Sequence, residues 1–542
     1  MFCPKVHPIR RQPDQGDFSD FPLAPGAILC YGFHIMLGKN IWFIVFAVLV
    51  YSGCGGPVAE RDHGLVRVAL QADATTMDPH AAADAGSMRM LENLHSTLFQ
   101  FTAAYGETEP YLVREHQIGE NGRLHEFLLH DNVVFHSGRP LTAEDAVFSL
   151  NRIREDGVRG QQLGPIEDIE VLDTHRFRIR LSAPFTPLIP ALAHPMNAIL
   201  DRAAVEEAGE ETRFEELQAG AGPFRLIEWR RGRHARLEAF EDYFIPGLPR
   251  LREIVYRPIP DATAANTALR RGEVDLLLDL NPRDIDRLQN HDNITVEQVP
   301  GTFWEYIGLN TAAAPLDNHA VRKAIAHAVD RDALARMVKF GHARSLTGGH
   351  IPPNHPAHLD EKIFPAQNID RAKTLLAEAG HPDGFDITLI VGSDFDYQVN
   401  AAQVLRQQLA GVGINVSVQA LETGMFFNRL SNGDFEMTVV GWLGFVDADE
   451  WTFDLFHSTG AFNQQNFSDP KADQLLERGR TLPDGQERWD IYREAQRRIA
   501  TLAPMVFLYL NDRASAFAEG LTGFDVHPTL TTLSLREAHW GE

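Results

Sequence analysis

From Leu65 onward the chain switches repeatedly between two hydrophobic rhythms. Val66-Arg67-Val68-Ala69-Leu70 alternates with period two, the spacing of a strand with one face in a core. Met90, Leu91, Leu94 and Leu98 then recur at helical spacing, which predicts a helix over 86–98. Thr142-Ala143-Glu144-Asp145 reads as a capping-box start for a helix whose apolar side is Val147, Leu150 and Ile153. Strands are expected at 127–129, 169–172, 176–181, 224–229, 235–240, 253–257, 275–278 and 294–299. Asp261 is expected to cap a helix ending near 271, and another helix follows Pro282. After Thr302 the pattern becomes strand–helix alternation. Strands at 304–309, 387–391, 415–420 and 436–440 are separated by helices at 321–329, 370–379, 400–409 and 426–430. Two long helices, 471–480 and 486–502, precede a strand at 505–510. Such alternation argues an α/β sheet covered by helices. Two bodies of this kind in one chain imply two lobes around a cleft, a favoured ligand site.

One apolar run does not fit this pattern. Ile41 to Tyr51 is unbroken, follows Met36-Leu37-Gly38-Lys39, and ends in Ser52-Gly53-Cys54. As a helix it reaches about 16 Å, whereas a bilayer core needs about 30 Å. It is too short to span and has the length of a secretory core segment. The Ser-Gly-Cys ending resembles the signal at which bacterial lipoproteins are cut before a lipid-carrying cysteine, although Tyr51 stands where leucine is usual. Residues 36–53 are therefore expected to be a lipoprotein signal, Cys54 the lipidated residue and 54–63 a tether. Residues 1–35, polar and without periodicity, read as a non-native extension ahead of a start at Met36; the alternative is a short cytoplasmic tail before an uncleaved anchor.

The chain carries a formal net charge of −24, which repels phosphate backbones and excludes nucleic acid as a natural partner. Its cysteines are Cys3, Cys30 and Cys54, so the body beyond Cys54 has no thiol for a disulfide, a thiolate metal site or a nucleophile. His125-Glu126 begins like a zinc-protease motif, but the next histidine, His130, is one place too late for a shared helical face. No Gly-x-Ser-x-Gly, phosphate-cradling loop or Cys-x2-Cys occurs. A non-enzymatic role without cofactor or metal is expected.

Several segments resemble the family 5 extracytoplasmic solute-binding proteins, which serve ABC importers of peptides, nickel and related solutes. Thr75-Thr76-Met77-Asp78-Pro79-His80 is similar to the family's opening segment. Phe127 to Gly138 resembles its strand–turn signature, with His130 where Arg or Lys is usual, and Leu141 to Leu150 continues the match. Gly220-Ala221-Gly222-Pro223-Phe224, Asn310, Val321 to Ile325, Val329-Asp330-Arg331, and Asp370 to Gly380 with Pro382 to Phe385 extend it in order along the body. The resemblance implies an α/β, two-lobed periplasmic-binding-protein fold with ligand held between hinged lobes. Lobe I would comprise 64–94, 218–301 and 505–542, an inserted sub-domain 95–217, and lobe II 302–504. It also implies a peptide or peptide-like solute as ligand and ABC permease subunits as partners, with the membrane reached only through the acyl anchor. The alternatives are the same fold binding a metal chelate or glycan, or an envelope signalling or assembly protein.

Candidate site residues follow from the same resemblance. Gly441-Trp442 with Asp447 and Asp449 matches the family's Gly-Trp…Asp-Pro-Asp segment, which makes Trp442 a pocket wall. In peptide-binding relatives an aspartate shortly after that Gly-Trp meets the ligand's amino group; Phe445 holds the place here, which puts ordinary capture of a peptide N-terminus in question. Asp447 and Asp449 would suit a cation, or would cap a helix at 451–456. Trp304 and Tyr306 share a strand face opposite to Phe303 and are expected in the cleft. Thr75 and Thr76 offer main-chain bonds to ligand or form a simple turn, and Asn463 and Gln464 lie in a loop within reach of ligand. His350, His355 and His358 are spaced five and three apart, which permits metal binding without defining its geometry.

Overall fold

The computed structural model describes residues 62–102, 107–209, 213–364 and 366–541. The expectations about 1–35, the signal at 36–53, Cys54 and nearly all of the tether lie outside the described residues. The unit that carries the fold begins at His63.

An eleven-stranded mixed sheet organises the body. Ten strands run in the order Ile414–Leu421, Phe385–Gly392, Met437–Leu443, Ile294–Leu309, Met505–Ala518, Leu276–Leu277, Leu65–Leu70, Glu253–Pro258, His234–Ala239 and Phe224–Arg230. Ala343–Ser345 joins beside Met505–Ala518. The first three strands belong to lobe II and the last five to lobe I. Ile294–Leu309 and Met505–Ala518 cross between them. Their lower halves pair through Ile294–Val299 and Arg513–Ala518, their upper halves through Trp304–Gly308 and Met505–Leu510. The register slips between Pro300 and Trp304, where Pro300 has no amide proton to offer the ladder.

Within 505–510, a stretch expected in lobe I, Val506 and Leu508 are buried in one core with Ile307 and Val439, and Phe507 and Leu510 in another with Tyr306 and Val440. The second crossing lies near Asn511–Arg513. Neighbouring residues on one strand divide between those two cores, as Tyr306 and Ile307, Val439 and Val440, and Val506 and Phe507 do, because strand side chains alternate faces.

The inserted sub-domain has its own four-stranded sheet, ordered Val113–Gly119, Leu124–Leu129, Arg176–Leu181, Ile166–Val171. Helix Ala143–Asp156 packs on it, sealing Phe127, Leu129, Leu150, Ile153, Phe177 and Ile179. That helix starts with the anticipated capping box: Asp145 accepts from the Thr142 backbone N–H and hydroxyl, both at 2.9 Å.

Candidate functional site

Lobe II carries a cavity of about 310 Å³ lined by Phe303, Phe395, Tyr397, Phe427, Trp442 and Phe462, with Gln464 at its rim. Its form traces to strand Met437–Leu443, paired antiparallel with the first crossing strand so that Trp442 opposes Trp304 and Gly441 opposes Glu305. The Phe303 ring lies directly over Gly441; a Cβ there would stand 2.1 Å from the ring's Cζ. Trp442 is half-buried, donates Nε1–H to the Glu450 carbonyl at 2.8 Å, and meets Phe462 edge-on at 5.0 Å. Aromatic walls of this kind give apolar contact without demanding one side-chain identity.

Trp304 does not reach this cavity. It is fully buried against Tyr306 (4.9 Å), Phe507 (5.3 Å) and His350 (5.3 Å). The strand alternation places Phe303 and Trp304 on opposite faces as expected, but Phe303 is the one at the cavity wall. Tyr306 is 2% exposed, within that same core, and touches only the cavity floor.

Asp447 and Asp449 are neither caps nor free carboxylates. Asp447 takes a two-pronged bond from Arg488, Nη2 to Oδ1 at 2.7 Å and Nη1 to Oδ2 at 2.8 Å. Arg488 is 1% exposed and also donates Nε–H to the Gly479 carbonyl. Asp449 accepts from Arg480 Nε and from the Tyr492 hydroxyl, both at 3.0 Å. Helix Phe453–Phe456 begins at Thr452 with no side-chain cap. Glu450 completes the loop: its Oε2 accepts from the N–H groups of Phe445 and Val446 at 2.7 and 3.0 Å, and burial pushes its carboxyl up to about 7. All three acids are thus committed to the protein itself, which leaves this loop no carboxylate for a ligand amine.

Phe445 crosses the seam. It is 4% exposed, stacked on Phe101 (5.6 Å), edge-on to His194 (4.5 Å) and 5.6 Å from the Arg159 guanidinium. Those partners belong to the inserted sub-domain. A second contact across the seam joins Thr186 to the end of helix Pro470–Thr481: its N–H donates to the Arg480 carbonyl at 2.9 Å and its hydroxyl to the Leu482 carbonyl at 2.5 Å. The Arg480 guanidinium lies between Phe185 and Phe453. The lobes are engaged at both points.

Thr75 and Thr76 knit a turn. The Thr75 hydroxyl donates to Asp84 at 2.5 Å and its N–H to Ser87 Oγ at 2.9 Å, while Thr76 Oγ1 accepts from the Asp78 N–H. Asn463 ties its own loop to the His457 and Phe467 carbonyls. The three histidines diverge. His350 is fully buried among Trp304, Phe456 and Phe507, His355 packs on Trp451, and His358 bonds to the Ile351 carbonyl. Among the described residues, no group of three or more His, Cys, Asp or Glu is arranged to hold a metal ion.

One polar feature has no counterpart in the sequence reading. A second cavity, of about 210 Å³, is lined by Glu92, His95, Thr97, Phe101, His527 and Thr531. Separately, Arg89, Asp279 and Arg513 form a charged cluster, brought together from helix Ala85–Leu94, the chain after strand Leu276–Leu277, and the second crossing strand.

Residues 107–464, more than half of the chain, match the model of the bacterial extracellular solute-binding proteins, family 5 middle. The chain is 28% identical over 518 residues to the glutathione-binding protein GsiB of Pectobacterium atrosepticum, covering 93% of this chain and 99% of that one. It superposes with a TM-score of 0.78 on the Helicobacter pylori periplasmic binding protein DppA in complex with the peptide STSA, at 25% identity over 88% of this chain and 98% of that one. AgaA of A. tumefaciens R10, in complex with agropinic acid, gives 0.77 at 27% identity over 88% and 99%. No helix among the described residues is long and apolar enough to cross a membrane. With two lobes joined by crossing strands and an aromatic cavity beside Trp442, the chain belongs to the family 5 extracellular solute-binding proteins, the solute-capturing components of ABC importers.

Proposed function

We propose that this protein captures a small peptide-like solute in the seam and delivers it to ABC permease subunits, an apolar side chain of the solute occupying the aromatic cavity of lobe II. The observation that carries this reading is that cavity, about 310 Å³ with six aromatic walls beside Trp442. The glutathione-binding relatives and the peptide in DppA support a short peptide. The committed acids at 447–450 separate it from a solute anchored there by its amine. The agropinic acid in AgaA favours a second reading, a non-peptide organic acid. In either case the body works outside the cytosol, held to the membrane by lipid on Cys54.

The test is purification of the wild-type protein, release of bound small molecules by denaturation, and mass spectrometry, followed by titration of the species found. Trp442→Ala and Phe303→Ala should each weaken binding about 10-fold or more while melting near wild type, in line with loss of an aromatic contact in a binding centre. Unchanged affinity in both variants would remove the cavity from the site. Cys54→Ser should move the protein from the membrane to the soluble fraction; persistent membrane association would rule out the anchor.

A further inference from the structure

We propose that Lys339, paired with Glu305, is a positioning residue for the aromatic cavity. It seats the Tyr397 ring, and through it the Phe303 ring, and so decides which solute side chains the cavity admits. This rests on the reading above, in which a side chain of the solute occupies that cavity.

A buried ion pair stands behind the cavity wall. Lys339 Nζ lies 2.5 Å from Glu305 Oε1, with side chains 10% and 0% exposed. Neither residue is among those that line the cavity. Desolvation offsets most of the attraction in such a pair, and apolar side chains of similar volume commonly hold a fold as well. The effect left to the pair is geometric: each charge fixes where the other sits.

Two walls of the cavity, Phe303 and Tyr397, converge on this pair. The Lys339 ammonium lies over the Tyr397 ring, 4.8 Å from its centroid. Tyr397 in turn meets Phe303 edge-on, with centroids 6.3 Å apart and planes at 90°. On the other side, Glu305 Oε1 accepts from Asn511 Nδ2 at 3.1 Å, and the same amide nitrogen donates to the Phe303 carbonyl at 3.2 Å. One wall is thus held by its ring and the other by its backbone. Asn511 belongs to the second crossing strand, so the brace is rooted where the chain passes between the lobes.

Lys339 is itself well fixed. It is the last residue of helix Arg331–Lys339, whose first residue donates Nε–H to the Phe507 carbonyl at 2.7 Å. Phe340 then leaves the helix with φ at 56°. Tyr397 is fixed at its tip, where the hydroxyl accepts from Gln398 Nε2 at 3.1 Å. A bond at the tip leaves the ring free to turn about its long axis. An ammonium held over the face favours one orientation, and the attraction is stronger away from water. Without it the ring can turn, its edge-on contact with Phe303 loosens, and the cavity no longer sorts side chains by shape.

The experiment uses pools of tripeptides that differ at one position, Ala, Leu, Phe or Trp, offered to the wild-type protein and read by native mass spectrometry. Wild type should separate the best-retained side chain from the worst by about 10-fold or more. Lys339→Met should narrow that spread about 5-fold by weakening the best-retained peptide, the loss expected for one desolvated cation–π contact. In a Tyr397→Ala background the same substitution should change affinity by less than about 2-fold, because the ring it positions is gone. A general structural effect would weaken binding alike in both backgrounds, and that result would overturn the proposal. Glu305→Gln with Lys339→Met removes both charges together and carries the same comparison if Lys339→Met does not fold. An unchanged spread in these variants, with Trp442→Ala still weakening retention, overturns the role of Lys339 and leaves the cavity reading standing. Unchanged retention in Trp442→Ala, or no spread in wild type, overturns the cavity reading and this proposal with it.

Discussion

The contact between Phe303 and Gly441 ties the shape of the aromatic cavity to a single missing methyl group. In Gly441→Ala the new Cβ would stand 2.1, 2.7 and 2.9 Å from Cζ, Cε2 and Cε1 of the Phe303 ring. Carbon atoms pack at about 3.5–4 Å, so the ring must retreat by about 1.5 Å. If it retreats against its neighbours, overpacking of this kind costs about 1–3 kcal/mol. If it swings into the cavity, the fold survives and the solute loses room. Phe303→Ala separates these outcomes. Without the ring the methyl loses its three closest contacts. Gly441 is not among the positive-φ residues, so alanine fits its backbone. The reduced freedom of the unfolded chain then favours Gly441→Ala by about 0.4–1 kcal/mol. The same substitution should therefore weaken the protein or its solute binding when Phe303 is present and slightly stabilise it when Phe303 is absent. Urea melts of the four proteins of this cycle give the stability coupling, expected at about 1–4 kcal/mol from the two effects together. Titration of the bound solute shows where any missing coupling has gone. Additive stabilities together with unchanged affinity in Gly441→Ala would refute the close contact between Phe303 and Gly441.

Asp447→Ala leaves buried Arg488 without its two-pronged partner and with only the more exposed Asp484 as an acid, which should cost about 3 kcal/mol, whereas Asp447→Leu with Arg488→Met should cost much less; denaturant melts with equal losses in the two proteins would contradict the pairing argument. His350 is held neutral by burial, its pKa lowered to about 3, and returns to 6.5 on unfolding. The unfolded chain takes the proton first as pH falls, so the stability tied to His350 is complete above about 6.5 and is lost toward 3, amounting to about 2 kcal/mol at pH 5. His350→Phe should therefore gain on wild type between pH 7.5 and pH 5 in thermal melts; a constant difference would disprove this. Phe445→Ala removes the plug between lobe II and the sub-domain and should raise the radius of gyration of the unliganded protein in small-angle scattering, while an unchanged radius would show that Phe445 does not hold the lobes together.

Much of the fold is written in local periodicity. Thr142 with Asp145 and Asp261 ahead of Ala262–Arg270 could be read because cap and apolar stripe agree, and Gln486–Leu502 could be read from its stripe alone. Helix Arg331–Lys339 escaped that reading because its buried face includes charges. Arg331 donates to the Phe507 carbonyl at 2.7 Å, and Lys339 pairs with buried Glu305 at 2.5 Å. Strand Val113–Gly119 escaped it because only Val113 is buried and nothing alternates. At the site, alternation separates Phe303 from Trp304 but does not say which face meets the core. That depends on Phe507 and Phe456, some 200 and 150 residues away in sequence. Asp447 and Asp449 read as ligand carboxylates because Arg488 and Arg480, 41 and 31 residues distant, come to them only in the fold.

The fate of those carboxylates connects recognition to closure. The loop from Phe445 to Glu450 is fixed from within, by Arg488 on Asp447, by Arg480 and Tyr492 on Asp449, and by two backbone N–H groups on Glu450. It can therefore present Phe445 as a rigid apolar post to Phe101, His194 and Arg159 across the seam. Arg480 serves both purposes, bonding Asp449 through Nε while its carbonyl accepts the N–H of Thr186. Docking of the lobes and the internal charge of this loop are thus built on the same residue. A ligand amine competing for Asp449 would have to displace the side chain of a residue that also joins the lobes, and so would weaken the closed state it needs. A solute can shift the equilibrium toward closure only by binding the closed form more tightly than the open one. Here that requirement favours a solute that fills the aromatic cavity and leaves the acidic loop undisturbed.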